Sequence, residues 1–143
     1  MMMNRWLMAS LLLVSGMPML PVIQVHAQPA INSQAYPWQP IARINPQKPY
    51  QVHLVNQTGI ELEYSSTTNE FPPRRLAASN RTVLTQLPLP IYLLINPVDS
   101  RFNLKYNVSV ANNVVKIKVS QLPEDRPGST TVNIQETGGI YIY

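Results

Sequence analysis

His53 stands in "YQVHLVNQTGIELEYSS", residues 50–66, with Glu61 and Glu63 a few positions on and Ser65, Ser66 and Thr67 just beyond. A histidine oriented by a carboxylate is the general base of many hydrolases, and a nearby hydroxyl would be its nucleophile. No Gly-x-Ser-x-Gly elbow or oxyanion-hole motif accompanies these residues. Their spacing gives them a plainer place. Val52, Leu54, Ile60, Leu62 and Tyr64 alternate with His53, Val55, Glu61, Glu63 and Ser65, the two-residue period of a half-buried strand. Gln57-Thr58-Gly59 between the runs predicts a three-residue G1-bulge hairpin, because glycine accepts the left-handed conformation at its last position. In that register Leu54 faces Leu62 and Val52 faces Tyr64. On the other side His53 faces Glu63 and Val55 faces Glu61. His53 and Glu63 are then a solvated cross-strand pair, which contributes ~0.2–1 kcal/mol.

Other chemistries have less to build with. The chain has seven acidic residues, two histidines, of which His26 precedes the domain, and no cysteine. That excludes disulfides, thiolate metal sites and a cysteine nucleophile. Asp99, Glu124 and Asp125 lie in loops without the Asp-x-Asp-x-Asp spacing of a calcium loop. No catalytic, cofactor or metal residue is assigned. The net charge is +4, but the basic residues are scattered along the chain and Arg74-Arg75 is their one adjacent pair. No basic block of the kind that neutralises a phosphate backbone is present, so nucleic acid is not an expected partner. Seven Tyr and two Trp in a charge-poor chain can supply stacking platforms for a glycan or a peptide. Parity assigns most of them to the core. It leaves Tyr36, Trp38, Tyr141 and Tyr143 as candidate partner-binding residues.

The elements that would carry these residues follow from patterning. "MMMNRWLMASLLLVSGMPMLPVIQVHAQPA" reads as a secretory signal: Arg5 in a positive head, an apolar stretch from Trp6, helix-breaking Pro18 and Pro21, and a cleavage site after Ala27. Export to the periplasm or the cell exterior is expected, with no stable transmembrane segment after cleavage. Residues 28–49 hold Pro29, Pro37, Pro40, Pro46 and Pro49 and read as an extended arm. Residues 50–143 read as one domain. Within it, "FNLKYNVSVANNVVKIKVS" predicts a hairpin with a type I′ turn at Asn112-Asn113. That turn pairs Val110 with Val115, Val108 with Ile117 and Tyr106 with Val119. "RTVLTQL" and "PIYLLIN" read as two strands, the second covered on both faces because Ile91–Ile95 has no polar position. "FPPRRLAASN" has room for a short strand near Leu76, and "TTVNIQE" with "GIYIY" closes the chain as a hairpin.

An outer-membrane barrel is a poor fit. It needs about eight strands of ~9–11 residues, more than residues 50–143 hold once turns are counted. The sequons at Asn56, Asn80 and Asn107 matter only for export through an endoplasmic reticulum.

"VHLVNQTGIELEY", "RRLAASNRTVLTQLPLPIYLLI" and "VNIQETGGIYIY" together resemble a group of small exported β-rich proteins of cyanobacteria. The resemblance covers most of residues 50–143. It implies a compact exported β domain and transfers no catalytic or binding residue. The expectation is an all-β chain: an antiparallel β-sandwich of about seven or eight short strands behind a Pro-rich arm. It would act as a non-catalytic binding or interaction module of the cell envelope with a protein or glycan partner. A lectin-like surface protein and a small hydrolase using His53 are the alternatives.

Overall fold

Two stacked sheets account for every strand of the computed structural model, which describes residues 38–143. The leader, its cleavage site, the first part of the arm and Tyr36 lie outside the described residues. The strands are β1 (Ala42–Arg43), β2 (Gln51–Asn56), β3 (Leu62–Ser66), β4 (Arg74–Leu76), β5 (Arg81–Thr85), β6 (Ile91–Pro97), β7 (Asn103–Ala111), β8 (Val114–Leu122), β9 (Thr131–Ile134) and β10 (Gly139–Ile142). One sheet has the order β1-β10-β9-β6-β3-β4 and the other β5-β2-β8-β7. The fold is the all-β sandwich expected. Its ten strands include two of only two and three residues, β1 and β4. Every pairing is antiparallel except β2 with β8.

The sheets meet through the inward half of each alternation. Val52, Leu54, Leu84, Val115, Ile117 and Val119 from the four-stranded sheet are buried against Leu62, Tyr64, Ile91, Leu93, Ile95, Val132, Ile134 and Ile140 from the other. Each such side chain contributes roughly 1.5–3 kcal/mol relative to exposure. Tyr106 of β7 is buried among them, and its hydroxyl donates across the sandwich to the Ile95 carbonyl of β6. That bond supplies the partner a buried phenol needs, and burial holds the Tyr106 pKa well above the usual tyrosine range.

The β7–β8 hairpin has the expected register, with Val110 opposite Val115, Val108 opposite Ile117 and Tyr106 opposite Val119. Asn112 and Asn113 adopt φ of 50° and 60°, as a type I′ turn requires. The Asn113 side chain also ties down the segment ahead of β2. Its Oδ1 accepts from Asn45 N at 2.7 Å, and its Nδ2 donates to the carbonyls of Asn45, Lys48 and Pro49. Beside this staple Ile44 is buried, and β1 pairs with β10.

The expected hairpin at residues 50–66 does not form. β2 belongs to the four-stranded sheet and β3 to the six-stranded one, so the chain arches from one sheet to the other. The Asn56 amide, 1% exposed, holds the corner. Its Oδ1 accepts from Thr58 N at 2.9 Å and from Thr58 Oγ1 at 2.6 Å. Its Nδ2 donates to the carbonyls of Ile60, Leu76 and Ala77. Gly59 is not left-handed; Gly138, at φ 82°, is the glycine with positive φ among the described residues. The G1-bulge turn expected at Gln57-Thr58-Gly59 is found instead at Glu136-Thr137-Gly138. There Gly138 N donates to Gln135 O and Gln135 N to Gly139 O, each at 2.9 Å.

β6 also departs from expectation. Ile91, Leu93 and Ile95 face the core, but Tyr92 is 38% exposed and Leu94 half-buried, so the strand is not covered on both faces. An unbroken apolar run fixes that a strand is central, not that both its faces are roofed.

The two Thr-Gly turns respond oppositely to an added methyl group. Nothing lies within 4 Å of a Cβ built at Gly59, whereas one at Gly138 would overlap the Ile44 carbonyl oxygen. Gly59→Ala is expected to change stability by less than about 0.5 kcal/mol. Gly138→Ala should cost about 1–3 kcal/mol, and Asn56→Ala about 2–4 kcal/mol through its orphaned buried partners. Chemical denaturation checks all three, and a costly Gly59→Ala would restore the hairpin.

Candidate functional site

The arch separates the residues that looked like an acid–base centre. His53 lies on the outer face of the four-stranded sheet, between Val83 of β5 and Lys116 of β8. Its Nε2 is 3.2 Å from Gln51 Oε1. Glu63 lies in the other sheet, opposite Arg75 and Asn96, and Glu61 pairs with Arg75 at 2.8 Å. Ser65 and Ser66 are in that sheet too, where Ser66 Oγ is 2.8 Å from Thr68 Oγ1. The His53–Glu63 pair and its hydroxyl are therefore not assembled. Among the described residues no three His, Asp or Glu side chains converge as a metal site would need. No helix among them is long and apolar enough to cross a membrane.

The shifted pKa values have local causes elsewhere. Hydrogen bonds from Arg101 hold the exposed Asp99 carboxyl down at about 2. Burial pushes the Tyr50 phenol up to about 12, where it lines an open cavity of about 570 Å³ with Pro46, Leu87, Leu89 and Asn112.

The outer face of the six-stranded sheet is chemically distinct. β10, β9 and β6 are neighbours there, and Tyr141, Asn133 and Tyr92 share one cross-strand row. Ile134, Ile140 and Ile91 form the adjacent inward row, so the tyrosines and the asparagine point outward. Ile41 extends the row by one strand, its N–H bonded to Ile140 O at 2.8 Å. The next outward row holds Tyr143, Thr131, Leu94 and Ser65, with Tyr143 and Thr131 exchanging both backbone bonds. Neither row contains a charged residue. Ile41 is 40% and Tyr143 59% exposed, and Tyr141 is half-buried.

Gly139 explains how Tyr141 lies down on this face. A Cβ there would be 3.2 Å from the Tyr141 ring and 3.4 Å from Pro40 Cβ. With no side chain at Gly139, the ring rests across the backbone beside Pro40, the packing known as aromatic rescue of a strand glycine.

Asn133 is the anomaly at the centre. Although outward-facing it is only 3% exposed, roofed by its neighbours. Its Oδ1 has no hydrogen-bond partner among the described residues. A buried amide end left unpaired costs about 1–3 kcal/mol, whichever way the amide is turned. The row thus presents flat rings on both sides of an acceptor that lacks a donor, without charge. It can take a neutral ligand with apolar faces and hydroxyl or N–H donors.

Of the four candidate residues, Tyr141 and Tyr143 are on this face. Trp38, 70% exposed, precedes Pro40 by two residues, and Tyr36 is outside the described region. Tyr92 and Asn133 were missed. Tyr92 was hidden in a run read as wholly covered, although its parity opposite Ile91 and Leu93 is outward. Asn133 becomes notable only once the register sets it between two tyrosines.

Asn133→Val removes the unpaired amide and fills the same space. It is expected to raise stability by about 1–2 kcal/mol, read as a higher denaturation midpoint. A loss of stability would show that the amide has a partner after all. No protein family, curated protein or solved structure matches the chain.

Proposed function

We propose that this chain is an exported, non-catalytic binding module whose ligand surface is the Tyr92–Asn133–Tyr141 row of the six-stranded sheet. The observation that carries the reading is Asn133: a buried amide oxygen with no partner among the described residues, set between two rings in a row without charge. Export rests on the leader, with its apolar stretch and its small-residue site at Ala27. The cell envelope is then where the module would meet its ligand.

The same amide favours a carbohydrate over a protein partner. A sugar ring lays its C–H face on an aromatic ring and turns hydroxyl donors toward the rim. Tyr92 and Tyr141 are two strands apart, about 10 Å at the backbone. Adjacent sugars of one chain can cover both rings, and a hydroxyl reaches the buried Asn133 oxygen when the side chains that roof it move aside. A hydrolase at His53 lacks support, since its orienting carboxylate lies in the other sheet.

Two measurements test this. N-terminal sequencing of the secreted product should read from Gln28. On an array of neutral glycans the protein should bind, and Tyr92→Ala combined with Tyr141→Ala should weaken binding about tenfold or more, equivalent to about 1.4 kcal/mol. His53→Ala should leave it unchanged. Silence on the array removes the carbohydrate reading. A protein partner captured equally by the double variant removes this face as the binding surface.

A further inference from the structure

The opposite outer face concentrates charge that the sequence spreads out. The four strands β5, β2, β8 and β7 carry Arg81, Lys105, Lys116 and Lys118 and not one Asp or Glu. Lys105, Lys116 and Lys118 are exposed and alternate with buried Leu104, Tyr106, Val115, Ile117 and Val119, so they stand on the outer face. Arg81 shares it, because Val55 lies opposite Arg81 on one side and opposite Lys118 on the other. His53 lies likewise between Val83 and Lys116.

These side chains shape a groove. Arg81 and Lys118 flank β2 at about 10 Å, two strand spacings, and Lys116 follows Lys118 at about 7 Å along β8. His53 and Val55 form the floor. The cavity they enclose with Thr82 and Val83 measures about 470 Å³. None of the three wall cations pairs with a carboxylate among the described residues, where the ion pairs are Arg75–Glu61 and Arg101–Asp99. Like charges on both walls of a trough repel one another and focus a positive potential into it. The packing of the sandwich does not require them, because each points away from the core.

We propose that this groove binds one extended chain of an acidic polysaccharide, its carboxylates held between Arg81 on one wall and Lys116 and Lys118 on the other. The width fits a single chain, the wall charges complement a carboxylate on either flank, and His53 on the floor offers a hydrogen bond to hydroxyls between the acidic groups. A single-stranded nucleic acid would want rings to stack on, and Phe, Tyr and Trp are absent from the residues that line the groove. An acidic peptide would be expected to add to a sheet edge through its main chain, whereas this trough runs over a strand at the second position of its sheet. The site is separate from the neutral tyrosine face and stands whether or not that face binds sugar.

The test titrates the purified protein with polygalacturonate oligosaccharides, with the same oligosaccharides fully methyl-esterified, with a thymidine oligonucleotide and with anionic vesicles. Polygalacturonate should bind best, and binding should weaken steadily as salt rises, since solvated charges are screened over about 10 Å at 0.1 M. Lys116→Gln with Lys118→Gln, and separately Arg81→Gln, should each lower affinity about tenfold or more. Lys48→Gln, away from the groove, should not. Tighter binding of the oligonucleotide or the vesicles, indifference to both groove variants, or an equal loss of methyl-ester and polygalacturonate binding in those variants would overturn the proposal. Circular dichroism and denaturation midpoints equal to those of the parent protein confirm that an affinity loss is not unfolding.

Discussion

The amide of Asn56 sits where the chain leaves one sheet for the other, and its five hydrogen bonds fix that corner. Two accept from Thr58 and shape the arch locally. The other three reach Ile60, Leu76 and Ala77, so the same side chain fastens the arch to the end of β4. With the corner set this way, β2 is free to lie between β5 and β8, and β3 between β6 and β4. A hairpin at this point would have put β2 and β3 side by side in one sheet. One of the two present neighbours of β2, β5 or β8, would then be displaced. The Leu76 carbonyl and the Thr58 hydroxyl are buried beside Asn56 and find their hydrogen-bond partner in its amide, which couples the two halves of the corner.

From the arch follows the separation of chemistry between the two outer faces. His53 and Glu63 are ten residues apart in sequence and would be cross-strand neighbours in a hairpin; across the arch they are on opposite outsides of the molecule. The carboxylates of Glu61 and Glu63 go with the six-stranded sheet, where Arg75 meets them. The four-stranded sheet is left with cations alone. The six-stranded sheet places its own charges toward β1, β3 and β4, which leaves the middle of its face neutral and aromatic. One corner thus yields a sandwich with a positive side and an uncharged, ring-bearing side.

How much of this the sequence discloses depends on the range of the interaction that decides it. The β7–β8 hairpin was legible because its turn is chosen by Asn112 and Asn113 themselves, and because a one-residue slip would turn its whole apolar set outward. The inward residues of β2 and β3 were legible as well: Val52, Leu54, Leu62 and Tyr64 are all buried as their parity demands. The partner of each strand was not, because alternation says which side chains go inside and is silent on which neighbour they meet. Thr58-Gly59 and Thr137-Gly138 look alike locally. Contacts from Leu76 and Ala77, far along the chain, make the first an arch. The basic groove was illegible for the same reason, since Arg81 and Lys118 come together only through β2 lying between them. Tyr92 was within reach, because its parity was readable in a run judged by hydropathy alone.

Three asparagines show where the fold serves itself and where it does not. Asn56 is buried and uses both ends of its amide, and Asn113 does the same for the segment before β2. Removing either would unfasten a corner, so stability alone accounts for them. Asn133 is nearly as buried as Asn56, yet its oxygen is unpaired and its neighbours are two tyrosines on an outer face. A valine there would suit the strand better by propensity and would leave nothing orphaned. A residue that lowers stability at a roofed, ring-flanked position is the kind that persists for what it contacts outside the fold. That difference between otherwise similar side chains sets the Tyr92–Asn133–Tyr141 row apart from the rest of the sandwich and is what supports the proposal of a ligand surface there.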